Sequence, residues 1–175
     1  METLKAIAAR TSTRNFDPQK PITKQNLETI IASGCAAPVG GGDYSSLHLT
    51  AITDSSVLSS FANTAQDVMK QNSSPLYNAT ALVVISASSE QKYPNIELAN
   101  AGCIAENMLL AATDLGIGSV FILGAIAMTS TNDALWKKLG VPDGFHPVVA
   151  VALGYGKESN TKEKELSVSM SINYV

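Results

Sequence analysis

The chain has 175 residues, 45% of them hydrophobic and 15% charged, with a formal charge of -3. That length supports one domain with a real core, and the negative charge argues against non-specific nucleic-acid binding, which needs a basic field. Cys35 and Cys103 form no ligand spacing and read as core thiols of a reducing cytoplasm, an expectation matched by the lack of a signal-peptide pattern at residue 1.

Residues 3–9 predict a short helix. Arg10-Thr11-Ser12-Thr13-Arg14 follows, and its threonines favour extended chain. Alternation then puts Arg10, Ser12 and Arg14 on one side, two guanidinium forks and a hydroxyl suited to a phosphate or to a solvated turn. Thr23 caps a helix stapled by Ile22 and Leu27, with Leu27, Ile30 and Ile31 buried and Gly34 as the stop. Ala37-Pro38-Val39-Gly40-Gly41-Gly42-Asp43 allows close backbone approach or a flexible loop, and matches neither the Walker nor the dinucleotide glycine pattern.

Residues 47–53 read as a strand. Asp54 caps a helix burying Val57, Leu58, Phe61, Ala65, Val68 and Met69. Residues 71–77 form a loop around Pro75. Residues 81–85 are continuously apolar, as a strand covered on both faces is, and residues 86–94 form a polar loop.

Residues 95–124 organise the rest. Asn95 is the expected cap of a helix whose apolar residues surround nearly its whole circumference, leaving a narrow polar stripe of Glu97, Asn100, Asn107 and Asp114. Charges and caps exclude a membrane span. So apolar a helix needs cover on most sides, and a second copy of the chain is the expected cover. Gly116 and Gly118 end it, residues 119–123 form a strand, and Gly124 brings backbone amides close to whatever lies at the strand end.

Ser130 or Thr131 then caps a helix with Leu135, Trp136 and Leu139, stopped by Gly140, and residues 148–153 form a second buried strand. After the charged stretch 157–165, Leu166, Val168, Met170, Ile172 and Tyr174 alternate with polar residues, the period of a half-buried strand. A strand placed there can pair with another subunit's sheet.

Catalytic side chains are sparse. His48 lies in a strand and His146 in a turn, neither with a patterned metal partner. There is no nucleophile elbow. Glu106 reads as a structural carboxylate before a general acid or base. A chain so poor in acids, bases and nucleophiles points to a cofactor for the hard step.

Taken in order, Arg10-x-Ser12-x-Arg14-x-Phe16, Ala37-Pro38 before a turn and strand, Ala105-Glu-Asn-Met-Leu-Leu-Ala-Ala112 with Leu115-Gly-Ile-Gly-Ser119, residues 148–155 ending Leu-Gly-Tyr, and the late Lys162 and Lys164 resemble the FMN-dependent nitroreductase family nearly end to end. The resemblance implies an α+β fold with a central mixed sheet flanked by helices, one domain over residues 1–175, and an intertwined homodimer in which residues 156–175 exchange onto the partner. It implies two interface FMN sites. Arg10, Thr11, Ser12 and Arg14, helped by Lys162 or Lys164, would hold the phosphate and ribityl chain. Pro38, Val39 and Gly40 of the other subunit would pack beside the ring, Leu123 and Gly124 would offer amides near N5 and O4, and Asn72 would meet the pyrimidine edge. No side chain is expected to be catalytic. NADH or NADPH would deliver hydride to flavin N5 and leave, and a nitroaromatic, quinone or flavin acceptor would enter the same face. Many members carry Ser-x-x-Asn-x-Gln-Pro-Trp after the Ala-Pro; here Val39-Gly-Gly-Gly-Asp-Tyr-Ser-Ser-Leu47 stands instead, closer to a shorter branch with a glycine-rich turn before His-Leu-Thr. The alternatives are a flavin storage or sensing protein, or a flavin enzyme of another reaction such as dehalogenation or flavin cleavage.

Overall fold

A computed structural model of the chain describes residues 2–158 and 163–175. Its helices and strands, in chain order, are α1 (Thr3–Ala9), α2 (Lys24–Cys35), β1 (Leu47–Ile52), α3 (Ser55–Met69), β2 (Ala81–Ser88), α4 (Ile96–Asp114), β3 (Gly118–Ile122), α5 (Gly124–Thr129), α6 (Asp133–Lys138) and β4 (Phe145–Gly154).

The four strands form one sheet in the order β1-β2-β4-β3. Every neighbouring pair is antiparallel, in registers that include Leu47 with Ala87, Ala81 with Leu153 and Gly118 with Gly154. The expected mixed sheet is therefore corrected. α4 does connect two parallel strands, β2 and β3, but β4 inserts between them and runs opposite to both.

Helices cover both faces, which explains why β2 and β4 carry unbroken apolar runs. On one face α3, α5 and α6 bury Leu58, Phe61, Ile126 and Trp136 against Leu82, Val84 and Ala150. On the other, α2 and α4 bury Leu27, Ile30, Ile104 and Met108 against Val83, Ile85, Val149 and Val151. Val68, expected in the core, is exposed.

The caps show which local signals held. Thr23 accepts from Asn26 N–H and Asp54 from the Ser56 and Val57 N–H groups, as expected. Asn95 stands in the left-handed region (φ 60°) and makes no side-chain cap bond, so α4 starts without one. Asn132, not Ser130 or Thr131, caps α6 by accepting from Leu135 N–H. Gly116, at φ 71°, ends α4 in a Schellman turn: Ile117 N–H donates to Ala112 O and Gly116 N–H to Thr113 O. Gly34 is not a stop. α2 runs one residue past it, and a Cβ there would sit 2.8 Å from Met108 Cγ, so the glycine lets α2 and α4 close together.

Three further expectations change. Cys35 and Cys103 are exposed, one ending α2 and the other on the outward face of α4, so neither is a core thiol. His146 lies inside β4. The tail from residue 163 contains no strand, and Leu166, Val168, Met170, Ile172 and Tyr174 are all exposed. An alternating strand needs an edge to pair with, and the tail meets none in this chain.

Candidate functional site

Residues 12–17 are stitched between β3 and the exit of β4. Ser12 pairs in parallel with Ser119, and Thr13 N–H donates to Ser119 O (2.9 Å). Phe16 is fully buried. Asp17 N–H donates to Tyr155 O (2.8 Å) and Lys157 N–H to Asn15 O (3.0 Å). Thr13 turns onto Gly118, where a Cβ would come 2.7 Å from Thr13 Oγ1 and 3.0 Å from its Cγ2. Thr11, Ser12, Thr13, Arg14, Asn15 and Glu158 line a recess of ≈ 250 Å³.

The cations are poised but little used. Arg10, with 24% of its side chain exposed, places Nε 3.7 Å from Glu106 Oε1. Its terminal amines carry no hydrogen bond or ion pair among the described residues, and neither does exposed Arg14. Lys164 N–H donates to Ala8 O (2.9 Å), which brings the lysine's backbone to the end of α1, beside Arg10 in sequence. Lys162 lies outside the described residues. Ser119 Oγ, beside Ser12, is buried with no partner.

Leu123 and Gly124 stand at the other end of β3, about 13 Å along the strand from Ser119 at ~3.3 Å per residue. Leu123 caps α5 and Gly124 is its first residue, so Gly124 is a helix start and not only a strand end. The amides of this first turn have no acceptor within the helix. A Cβ on Gly124 would meet only Met69 Cε, at 3.5 Å. That contact sets the end of α3 next to Gly124, and Asn72 follows three residues later in an exposed turn. Phe121, Leu123 and Met128 leave exposed apolar surface at this end.

The third group sits apart from these two. Pro38, Val39 and Gly40 lead from α2 into a glycine turn with Gly41 and Gly42 both left-handed. Asn100 on α4, 4% exposed, accepts from Gly40 N–H at 2.9 Å. Asn107, two turns on, donates through Nδ2 to Ser33 O (3.1 Å). Two residues of the polar stripe thus fasten the end of α2 and the loop behind it to α4.

Sequence reading missed Glu158 at the recess, Asn100 under the loop and the whole of α5. Only Asn100 left a signal, as a polar residue on an apolar helix. Among the described residues no group of three His, Cys, Asp or Glu forms a metal site, and no helix is long and apolar enough to cross a membrane.

Two arginines with free donors beside a polar recess, a surface amide turn one strand-length away and adjacent apolar surface fit a phosphorylated ligand with a flat apolar ring. Comparison with known proteins agrees with the fold. A nitroreductase from Bacteroides fragilis, solved with bound FMN, matches at TM-score 0.84 and 28% identity over 100% of this chain and 99% of that one. A nitroreductase from Desulfitobacterium hafniense, also with bound FMN, matches in fold at TM-score 0.84 and 23% identity, covering 100% and 99%. The fold is thus that of a class of proteins with a sheet between helical layers. The family model for the nitroreductase family matches residues 7–155, and this chain belongs to that family. A protein of Archaeoglobus fulgidus provisionally named NADH dehydrogenase/NAD(P)H nitroreductase is 31% identical over 159 residues, 90% of this chain and 87% of that one.

Proposed function

We propose that the chain is an FMN-dependent oxidoreductase that takes electrons from NADH or NADPH and passes them to a small acceptor such as a nitroaromatic, a quinone or another flavin. The observation that carries this reading is the pair of arginines at the 11–15 recess, whose terminal amines meet no partner among the described residues, set one strand-length from the amides at Leu123 and Gly124.

In this reading Arg10 and Arg14 donate to the flavin phosphate, with the Ser12 hydroxyl and Thr11 completing the grip and Lys164 or Lys162 adding charge. A charge-assisted bond of this kind is worth about 1.5–3 kcal/mol. Gly124, without a side chain, leaves the ring room beside the strand end, and the first-turn amides of α5 donate to its polar edge. Asn72 reaches the same edge from the end of α3. Bound there, FMN would supply the redox chemistry of a ping-pong exchange between the nicotinamide donor and the acceptor. The protein's part is placement: donors fixed in advance stabilise charge without reorganising during the reaction, and no side-chain nucleophile is required.

The same reading uses a second copy of the chain. The exposed tail residues and the outward side of α4, with Leu98 exposed, are the apolar surfaces that a partner would cover. Pro38, Val39 and Gly40 then reach the partner's ring, since in their own chain Gly40 is held at Asn100, about 9 Å along α4 from the Glu106 that meets Arg10. The location consistent with this chemistry is the cytoplasm.

The test is an anaerobic titration of purified, FMN-loaded protein with NADH and with NADPH. Bleaching of the flavin followed by recovery on adding an acceptor supports the reading. Arg10→Ala and Arg14→Ala should each weaken FMN binding about tenfold or more. A colourless protein that ignores FMN refutes it, and a flavin no nucleotide reduces leaves the storage protein as the answer.

A further inference from the structure

We propose that Glu106 is the internal rival of the flavin phosphate: it holds Arg10 when no phosphate is present and weakens the grip on FMN when one is. The inference rests on the reading that the phosphate sits at Arg10.

Glu106 is the sole partner of Arg10 among the described residues, and the contact is loose. The Nε–Oε1 separation is 3.7 Å, beyond hydrogen-bond distance, and 53% of the glutamate side chain is exposed. An exposed pair of this kind adds little to stability, so the fold does not explain the acid. Its position does. Residues 10–15 gather two arginines for an anion, yet a carboxylate stands against the first of them, projecting from α4 across from α1. A second carboxylate, Glu158, lines the recess beside Arg14.

Two effects of Glu106 on an incoming phosphate oppose each other. The carboxylate orients the guanidinium, which would aid binding. It also neutralises Arg10 and so competes with the phosphate for that charge. Orientation through one long contact at the Nε edge is weak, because the terminal amines are left free to turn. Neutralisation of the one guanidinium that the two anions share persists wherever its free amines point. Charge therefore outweighs orientation, and the acid makes FMN exchangeable where two bare arginines would hold it more firmly.

Glu106→Gln separates the two effects. Glutamine keeps the volume and the acceptor oxygen facing Nε and removes only the charge. The test is titration of wild type, Glu106→Gln, Arg10→Ala and the double variant with FMN and with riboflavin, which lacks the phosphate, at about 50 mM and 500 mM salt. Glu106→Gln should bind FMN roughly two- to tenfold more tightly than wild type, leave riboflavin affinity unchanged, and lose most of its gain at high salt. In the Arg10→Ala background the gain should fall below about twofold, since the shared guanidinium is gone. Glu106→Ser, checked by thermal melting alongside, should show the same sign. Equal or weaker FMN binding in both Glu106 variants, or an equal gain for riboflavin, overturns the inference while the phosphate reading stands. If Arg10→Ala leaves FMN affinity unchanged, the phosphate lies elsewhere and both fall.

Discussion

Gly118→Ala tests how residues 12–14 are held against β3. Gly118 opens β3, and a Cβ built there lies 2.7 Å from Thr13 Oγ1, 3.0 Å from Thr13 Cγ2 and 3.0 Å from Gly154 O. Rotating Thr13 about χ1 offers no clear escape, because both branches of the side chain already crowd the site. The backbone around Thr13 must therefore move off β3, which strains the 2.9 Å bond from Thr13 N–H to Ser119 O. Overpacking of this kind costs about 1–3 kcal/mol, a fall in Tm of about 2–12 °C for a domain of this size. Because Ser12 and Arg14 flank Thr13, FMN affinity should fall with it, by about tenfold or more. The assay is FMN titration and thermal melting of Gly118→Ala, Thr13→Ala and the double variant. Thr13→Ala removes the two Thr13 atoms and leaves only Gly154 O, so the double variant should recover part of the lost affinity. Wild-type FMN binding and Tm in Gly118→Ala, or a double variant no better than the single, would refute the reasoning.

Three other outcomes follow from the same geometry. Gly124→Ala should raise Tm slightly, since the new Cβ meets only Met69 Cε at 3.5 Å and alanine is the better helix former, while lowering FMN affinity or the rate of flavin reduction in stopped flow; a gain in Tm with unchanged flavin behaviour would move the ring away from α5. Asn100→Ala removes the acceptor of Gly40 N–H in a part-buried bond, a cost of about 0.5–1.5 kcal/mol, and hydrogen exchange should quicken at residues 39–42 before it does in β2. Asp54 has its carboxyl held below the usual aspartate range by the Ser56 hydroxyl first and then by the Val57 and Ser56 N–H groups. A lowered folded value means the stabilisation is present above the unfolded value and is lost as pH falls through the folded one. The Tm gap between wild type and Asp54→Ala should therefore be full at neutral pH and shrink in strong acid; a constant gap would exclude the charge as its source.

How much was legible depends on how local each cause is. The caps at Thr23 and Asp54, the buried runs of β2 and β4 and the glycine end of α4 each depend on a few neighbouring residues, and the sequence reading found them. Gly34 and Gly118 were read as helix stops because glycine has that local meaning. Their actual role is set by Met108 and by Thr13, residues far away in the chain, and no local pattern records such a contact. The sheet was misread for a related reason. α4 joins parallel strands, but the strand between them is added last, and its direction depends on residues 145–154. At the site, the cluster of Arg10, Ser12 and Arg14 stood out in the sequence, whereas the pairing of Arg10 with Glu106 needed the packing of α1 on α4.

The tail and α4 carry the same lesson to a larger scale. Residues 166–174 keep a period of two that only a paired strand requires, yet in one chain they are irregular and exposed. α4 keeps apolar residues on its outward side, where Leu98 is exposed, although its inward side already fills the core with Ile104, Met108 and Leu109. A sequence shaped only by the monomer would have no use for either pattern, because an exposed apolar stripe adds nothing to stability and invites association. Both are explained by one second copy: its sheet would supply the edge the tail lacks, and its α4 would cover the stripe. The loop of Pro38–Gly40, fixed to its own α4 by Asn100, would then be presented to the partner. On the proposed reading, the patterns that fail to describe the single chain would be the ones that complete its flavin site.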